Sequence, residues 1–151
     1  MSDPAYIVDL YTGERLEFQF APNDLREEKS GAWASSRVPG QSHPRYQFTA
    51  GGARTLQFTL DLYRLDDLEQ RVRWLQSLEY PEYEQQILSA PPHLVAFLFG
   101  TLYEDVAWMV TSVKNRYFEL FTPGLKPLRA EVDIQLEEYI DRAVDYREIR
   151  R

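Results

Sequence analysis

A chain of 151 residues with 44% hydrophobic and 14% aromatic content is long enough for one domain with a real core. A formal net charge of -7 argues against nonspecific nucleic-acid binding, which needs a basic field, and the absence of cysteine excludes disulfides and thiolate metal sites. Met-Ser-Asp-Pro-Ala at the start lacks a basic region followed by an apolar core, and the longest apolar run is six residues, Leu94 to Phe99. Neither a signal peptide nor a membrane span is therefore expected, and assembly in the cytoplasm is.

In chain order, Ala5–Leu10 is a short apolar strand, and Thr12-Gly13 is a turn signal. Leu16–Phe20 alternates and is close enough to pair back as a hairpin. Pro22 ends that strand, and the charged run from Asp24 to Lys29 is expected on an exposed edge. Residues 30–46, rich in Gly, Ser and Pro, have no periodicity and read as a long loop. That loop carries Trp33, which either folds back on its own domain or anchors the loop on a neighbouring chain. Gly51-Gly52 makes a corner, after which Leu56, Phe58, Leu60 and Leu62 alternate with polar residues in a half-buried strand.

Asp66-Asp-Leu-Glu69 offers a capping box, with Asp66 as cap and Glu69 reaching back. Leu65, Leu68, Val72, Leu75 and Leu78 then recur at helical spacing, predicting one amphipathic helix to cover a sheet. Glu79–Ala90 is a connection without a clear period. The stretch from Pro91 to Tyr139 organises the chain: a strand Leu94–Phe99, two strands Val106–Lys114 and Arg116–Phe121 joined at Asn115 as a hairpin, and a last strand Leu128–Leu136. In the last strand Leu128, Ala130, Val132, Ile134 and Leu136 fall on one face, against Arg129, Glu131, Asp133 and Gln135 on the other. Pro123-Gly124 suits a type II turn, and Glu137–Arg151, acidic early and basic late, suits a helical tail.

Motifs for chemistry are absent: no Gly-x-Ser-x-Gly elbow, phosphate loop or dinucleotide fingerprint occurs. The adjacent acids Asp66-Asp67, Glu104-Asp105 and Glu137-Glu138 point apart on a strand or helix and read as solvated surface. His93, after two prolines and before a buried strand, reads as a structural or edge residue. Trp108 and Tyr103 read as core or interface aromatics. No enzyme, cofactor or metal is expected.

The order of these segments resembles the tube-initiating, or tube–baseplate adaptor, proteins of contractile injection systems and contractile phage tails. The matching residues are Leu16-Glu-Phe-Gln-Phe-Ala-Pro-Asn23, Tyr46 to Leu60 with its glycine pair, Pro91-Pro92 before the strand ending in Phe99-Gly100, and Val110-Thr-Ser-Val113 followed by Tyr117–Phe121, Pro123-Gly124 and Pro127-Leu-Arg-Ala130. The resemblance covers almost the whole chain, and its motifs are architectural. It implies a single, mainly β, phage tail-tube-like domain: a β-barrel of two packed antiparallel sheets with one flanking helix. It further implies a hexameric ring that connects the baseplate to the inner tail tube and starts tube polymerisation. The implied partners are the inner tube protein and the baseplate hub, spike and wedge proteins, all within a virion tail or injection particle. Similar proteins often continue into a small peptidoglycan-binding LysM domain, which is not expected in a chain ending at Arg151. Candidate subunit-interface residues are Trp33, Trp108 and Phe118, with Val106–Lys114 and Arg116–Phe121 as the ring wall because both their faces look apolar. The competing reading is a stand-alone β-barrel binding module for a ligand or peptide.

Overall fold

The computed structural model describes residues 5–118, 123–140, 147 and 150. Its centre is one seven-stranded antiparallel sheet. In chain order the strands of this sheet are β1 (Ala5–Asp9), β2 (Arg15–Glu17), β3 (Arg26–Glu28), β6 (Thr55–Tyr63), β9 (Val95–Phe99), β10 (Trp108–Tyr117) and β11 (Arg129–Glu138). They lie side by side in the order β2-β1-β9-β10-β11-β6-β3. Two further hairpins stand outside it: β4 (Gly31–Ser36) with β5 (Arg45–Gly51), and β7 (Glu82–Glu84) with β8 (Ile87–Ala90). Helix α1 (Leu68–Ser77) links β6 to the second hairpin.

The mainly β class with one helix is as expected, but the two-sheet closed barrel is not. One sheet coils on itself, and its edge strands β2 and β3 do not pair. The coiling is measurable. Phe97 of β9 and Phe58 of β6 are three strand spacings apart, about 14 Å in a flat sheet at ~4.8 Å per strand. Their rings instead stack with centroids 4.6 Å apart. Phe18, just past β2, packs on both at 6.0 Å, so the chain crossing from β2 to β3 plugs the open side. The Gln19 amide completes that seam: its Nε2 donates to the Tyr63 carbonyl at 2.8 Å and its Oε1 accepts from the Tyr63 N–H at 2.9 Å. A side-chain amide thus takes the two backbone groups that a further strand would have paired.

Alternation decides what faces inward. Ala130, Val132, Ile134 and Leu136 of β11 are buried, as are Leu56, Phe58, Leu60 and Leu62 of β6 opposite them. Leu68, Val72 and Leu75 of α1 complete the core, packing toward β10 and β11. Each such side chain contributes roughly 1.5–3 kcal/mol by leaving water. Arg71 Nη1 donates to the Glu17 carbonyl and Trp74 Nε1 donates to Glu14, tying the helix to the β1–β2 edge.

Four local expectations are corrected. The helix begins after Asp67, whose side chain makes no capping bond. Arg71 takes the Asp67 carboxylate at 3.1 Å instead, and Glu69 pairs forward with Arg73 at 3.7 Å, so no capping box forms. Asn115 is not a turn: β10 runs unbroken through it, opposite Val132. The charged tail also begins later than expected, because Glu137 and Glu138 belong to β11, while 141–146, 148, 149 and 151 lie outside the described residues. The turn at Pro123 starts outside them too; within them, the left-handed backbone is at Leu125, φ 58°.

The fourth correction concerns the ring wall. A bulge lies between Val110 and Ser112, with Val110 opposite Leu136 and Val113 opposite Ile134. One extra residue, Thr111, reverses the alternation. Val110 and Val113 therefore both pack on the core, and the strand is not apolar on two faces. Residues 119–121 of the second wall strand lie outside the described residues.

Candidate functional site

The segment 30–46 expected as a loop is largely the first hairpin, and none of the residues of β4 or β5 is buried. Trp33 is 63% exposed and Phe48 54%, their rings in edge contact at 5.3 Å, with Tyr46 exposed on the same strand as Phe48. The second hairpin was not anticipated. It exposes Tyr83, Ile87 (70%) and Leu88 (59%). Its two-residue turn, Gln85-Gln86, has both residues left-handed, φ 49° and 66°. Turns of that kind announce themselves by Asn-Gly or Asp-Gly, and this sequence carries neither pair here, so nothing in it marked the turn.

Both hairpins have fixed roots. In the first, Gly52 N–H donates to the Ser30 carbonyl at 2.6 Å, and Lys29 Nζ donates to the Gly52 carbonyl. A Cβ on Gly52 would lie 2.7 Å from that Ser30 oxygen, so only glycine allows the strands to close there. Two residues on, Arg54 pairs with Glu27 of β3 and, at 2.9 Å, with Glu138 of β11. Its guanidinium lies 5.5 Å from the ring centres of both Tyr103 and Trp108. Tyr103 O–H donates to Glu27 at 3.1 Å, which draws the turn after β9 onto the far edge strand. Burial, then the hydrogen bond to Glu27 and its negative charge, push the Tyr103 phenol up.

The root of the second hairpin is polar. Asp9, at the end of β1, accepts from the Tyr11 and Thr12 N–H groups at 2.8 and 3.2 Å, and its Oδ2 is 2.8 Å from His93 Nδ1. Tyr11 stacks on the His93 ring at 4.6 Å, and Glu82 of β7 lies 3.9 Å from Nε2. Burial alone would raise the Asp9 pKa. The bonds from His93, Tyr11 and Thr12 and the charge of His93 outweigh it and hold Asp9 below the ordinary carboxylate value. His93 is the structural edge residue the sequence implied, one half of a clasp between β1 and the segment entering β9.

The three sequence-derived interface candidates separate. Trp33 is on the exposed hairpin. Trp108 has no exposed surface: it faces Tyr103 edge-on at 5.6 Å inside the core. It belongs to the core of this chain, since the register that sets Trp108 opposite Val95 and Glu138 turns it inward. Phe118 is half-buried between two guanidinium groups, Arg116 and Arg129, each 4.7 Å from its ring centre. The three do not form one patch.

Among the described residues, no group of three His, Asp or Glu side chains converges to hold a metal. One open groove of about 300 Å³ is lined by Asp24, Arg26, Thr59, Lys114, Asp133 and neighbouring residues. It is polar and shallow, unlike the enclosed apolar pockets that hold small ligands. The arrangement is that of one packed, coiled sheet, open between its edge strands, carrying two exposed and rooted hairpins. Among the described residues no helix is long and apolar enough to cross a membrane.

No curated protein matches the chain significantly. Among solved structures, the chain is similar to one in the cryo-EM structure of the anti-feeding prophage (AFP) baseplate, 6-fold symmetrised, with a TM-score of 0.43 and 8% identity over 91% of this chain and 88% of that one. Residues 9–147 match the family described as contractile injection system tube protein, which is nearly the whole sequence. The chain belongs to the contractile injection system tube protein family.

Proposed function

We propose that this protein forms a ring of six copies that joins the baseplate hub to the inner tail tube and starts tube polymerisation. It acts as a structural part of a phage tail or injection particle, with no catalytic step. Its neighbours are further copies of itself, the inner tube protein, and the hub, spike and wedge proteins of the baseplate. Family membership supports the tube-associated role. The observation that carries the assembly reading is the β4–β5 hairpin: Trp33, Tyr46 and Phe48 are exposed on a two-stranded ribbon that buries nothing in its own chain. A lone two-stranded hairpin is marginal in water, and aromatic anchors of this kind dominate interface energies. Phe118, just past the end of β10, is a second contact candidate.

The test is to incorporate Trp33→Asp into the parent particle and image it by negative stain. Because Trp33 is exposed, this substitution leaves the barrel intact, whereas the same change at Trp108 would destroy the core. Baseplates or spikes lacking tubes are expected. Normal tubes and normal injection, with the variant shown to be present, would remove the hairpin from assembly.

A further inference from the structure

We infer that the two hairpins are the two halves of one contact, the β4–β5 hairpin of one copy docking on the β7–β8 hairpin of the next. The inference rests on the ring reading and names the surfaces that close it. Charge is the first argument. Between Glu28 and Asp61 the chain has no acidic residue, and the first hairpin carries Arg37 and Arg45 at its outer end. Between Arg73 and Lys114 it has no lysine or arginine, and the second hairpin carries Glu82 and Glu84 on β7. In a chain of net charge -7, so complete a separation places one basic blade and one acidic blade on the same molecule. Each blade also presents exposed apolar side chains, Trp33 and Phe48 on one and Ile87 and Leu88 on the other.

Like charge opposes pairing of either blade with its own copy, which disfavours a two-fold dimer through them. Opposite charge favours a head-to-tail contact, the kind that closes into a ring when the rotation between copies is right. Placement is the second argument. Asp9 pairs with Val95, Val95 with Trp108, Trp108 with Glu138, and Glu137 with Thr55, so these residues mark one end of the sheet. The first hairpin returns to the sheet just before Thr55, and the second just before Val95. Both blades therefore spring from one rim, separated by β10 and β11. Complementary features on one rim suit side-by-side neighbours in a layer; stacking would need them at opposite ends.

The absence of cysteine makes the test direct. A full-length Ser35→Cys chain is mixed with a full-length Ser89→Cys chain and oxidised, both free at high concentration and co-assembled in the parent particle. The mixed disulfide is expected to exceed either symmetric one. Arg37→Glu with Arg45→Glu in the first chain should lower it about tenfold, a change of ~1.4 kcal/mol. Glu82→Lys with Glu84→Lys in the second chain should restore it. Oligomers that form without this cross-link, or whose cross-link ignores charge reversal, would overturn the pairing and leave the ring standing. A chain that is monomeric both in solution and in the particle would overturn both.

Discussion

The coiled sheet and the two hairpins are both antiparallel β structure and meet opposite fates. In β6 and β11 every second residue is apolar, and those side chains find α1, Phe97 and one another. In β4–β5, Trp33 and Phe48 find each other and otherwise face solvent. A strand's alternation states that one face wants cover; whether the cover comes from the same chain depends on what else that chain supplies. Helix α1 covers the sheet, and among the described residues none of β4 or β5 is buried. The difference separates a sheet that its own chain covers from hairpins that stay exposed, which is what the assembly proposal rests on.

The most forceful way to break that comparison is a charge in each region. Val72 is fully buried on the inner face of α1, so Val72→Asp should cost several kcal/mol and abolish the cooperative thermal transition. Trp33→Asp should change the stability of the isolated chain by no more than about 0.5 kcal/mol. Thermal melts of the two purified variants side by side check this; a Val72→Asp protein that melts like the parent would remove the helix from the core.

The barrel's own seam gives an intermediate effect. Arg54→Ala leaves Glu27 and Glu138 without their shared cation and removes the stack on Tyr103 and Trp108. With Arg54 partly exposed, the loss lies between that of a surface pair and that of a buried one, about 2 kcal/mol. Urea unfolding measures it, and a loss no larger than that of a rim charge would mean that Phe18, Gln19 and the Tyr103–Glu27 bond hold the seam without Arg54.

A smaller effect lies at the second root. The folded Asp9 carboxyl is held below its unfolded value, so its contribution is present above the unfolded pKa of about 3.9 and is lost as pH falls from there through the folded pKa. Asp9→Asn should therefore be less stable than the parent near neutrality, with the gap closing in acid. Melting temperatures across that range decide it; a gap independent of pH would assign Asp9 a purely geometric role in the turn.

Most of the barrel could be read from period-two alternation, because one face of β6 and of β11 is buried and the other is wet. The helix could be read from Leu68, Val72 and Leu75. Its cap could not, since the side chain of Arg71 competes for Asp67. Two errors share a cause in β10. The bulge at Thr111 made one buried face look like two, and the polar tripeptide Lys114-Asn115-Arg116 looked like a turn although β11 pairs across all of it. The hairpins were illegible for another reason. Their Gly, Ser, Pro and Gln content carries no burial pattern, and among the described residues β4, β5 and β7 are exposed throughout. The sequence left Trp33 either folded back on its own domain or anchored on a neighbour, and the structure leaves its ring 63% exposed.

The central claim is that the hairpins are covered only by neighbouring subunits. Amide hydrogen exchange, measured on the free chain and on the assembled particle, tests it directly. Residues of β6 and β11 should be protected in both states, while 31–51 and 82–90 should exchange quickly in the free chain and slow by orders of magnitude on assembly. Hairpin amides that are equally protected, or equally unprotected, in both states would contradict it.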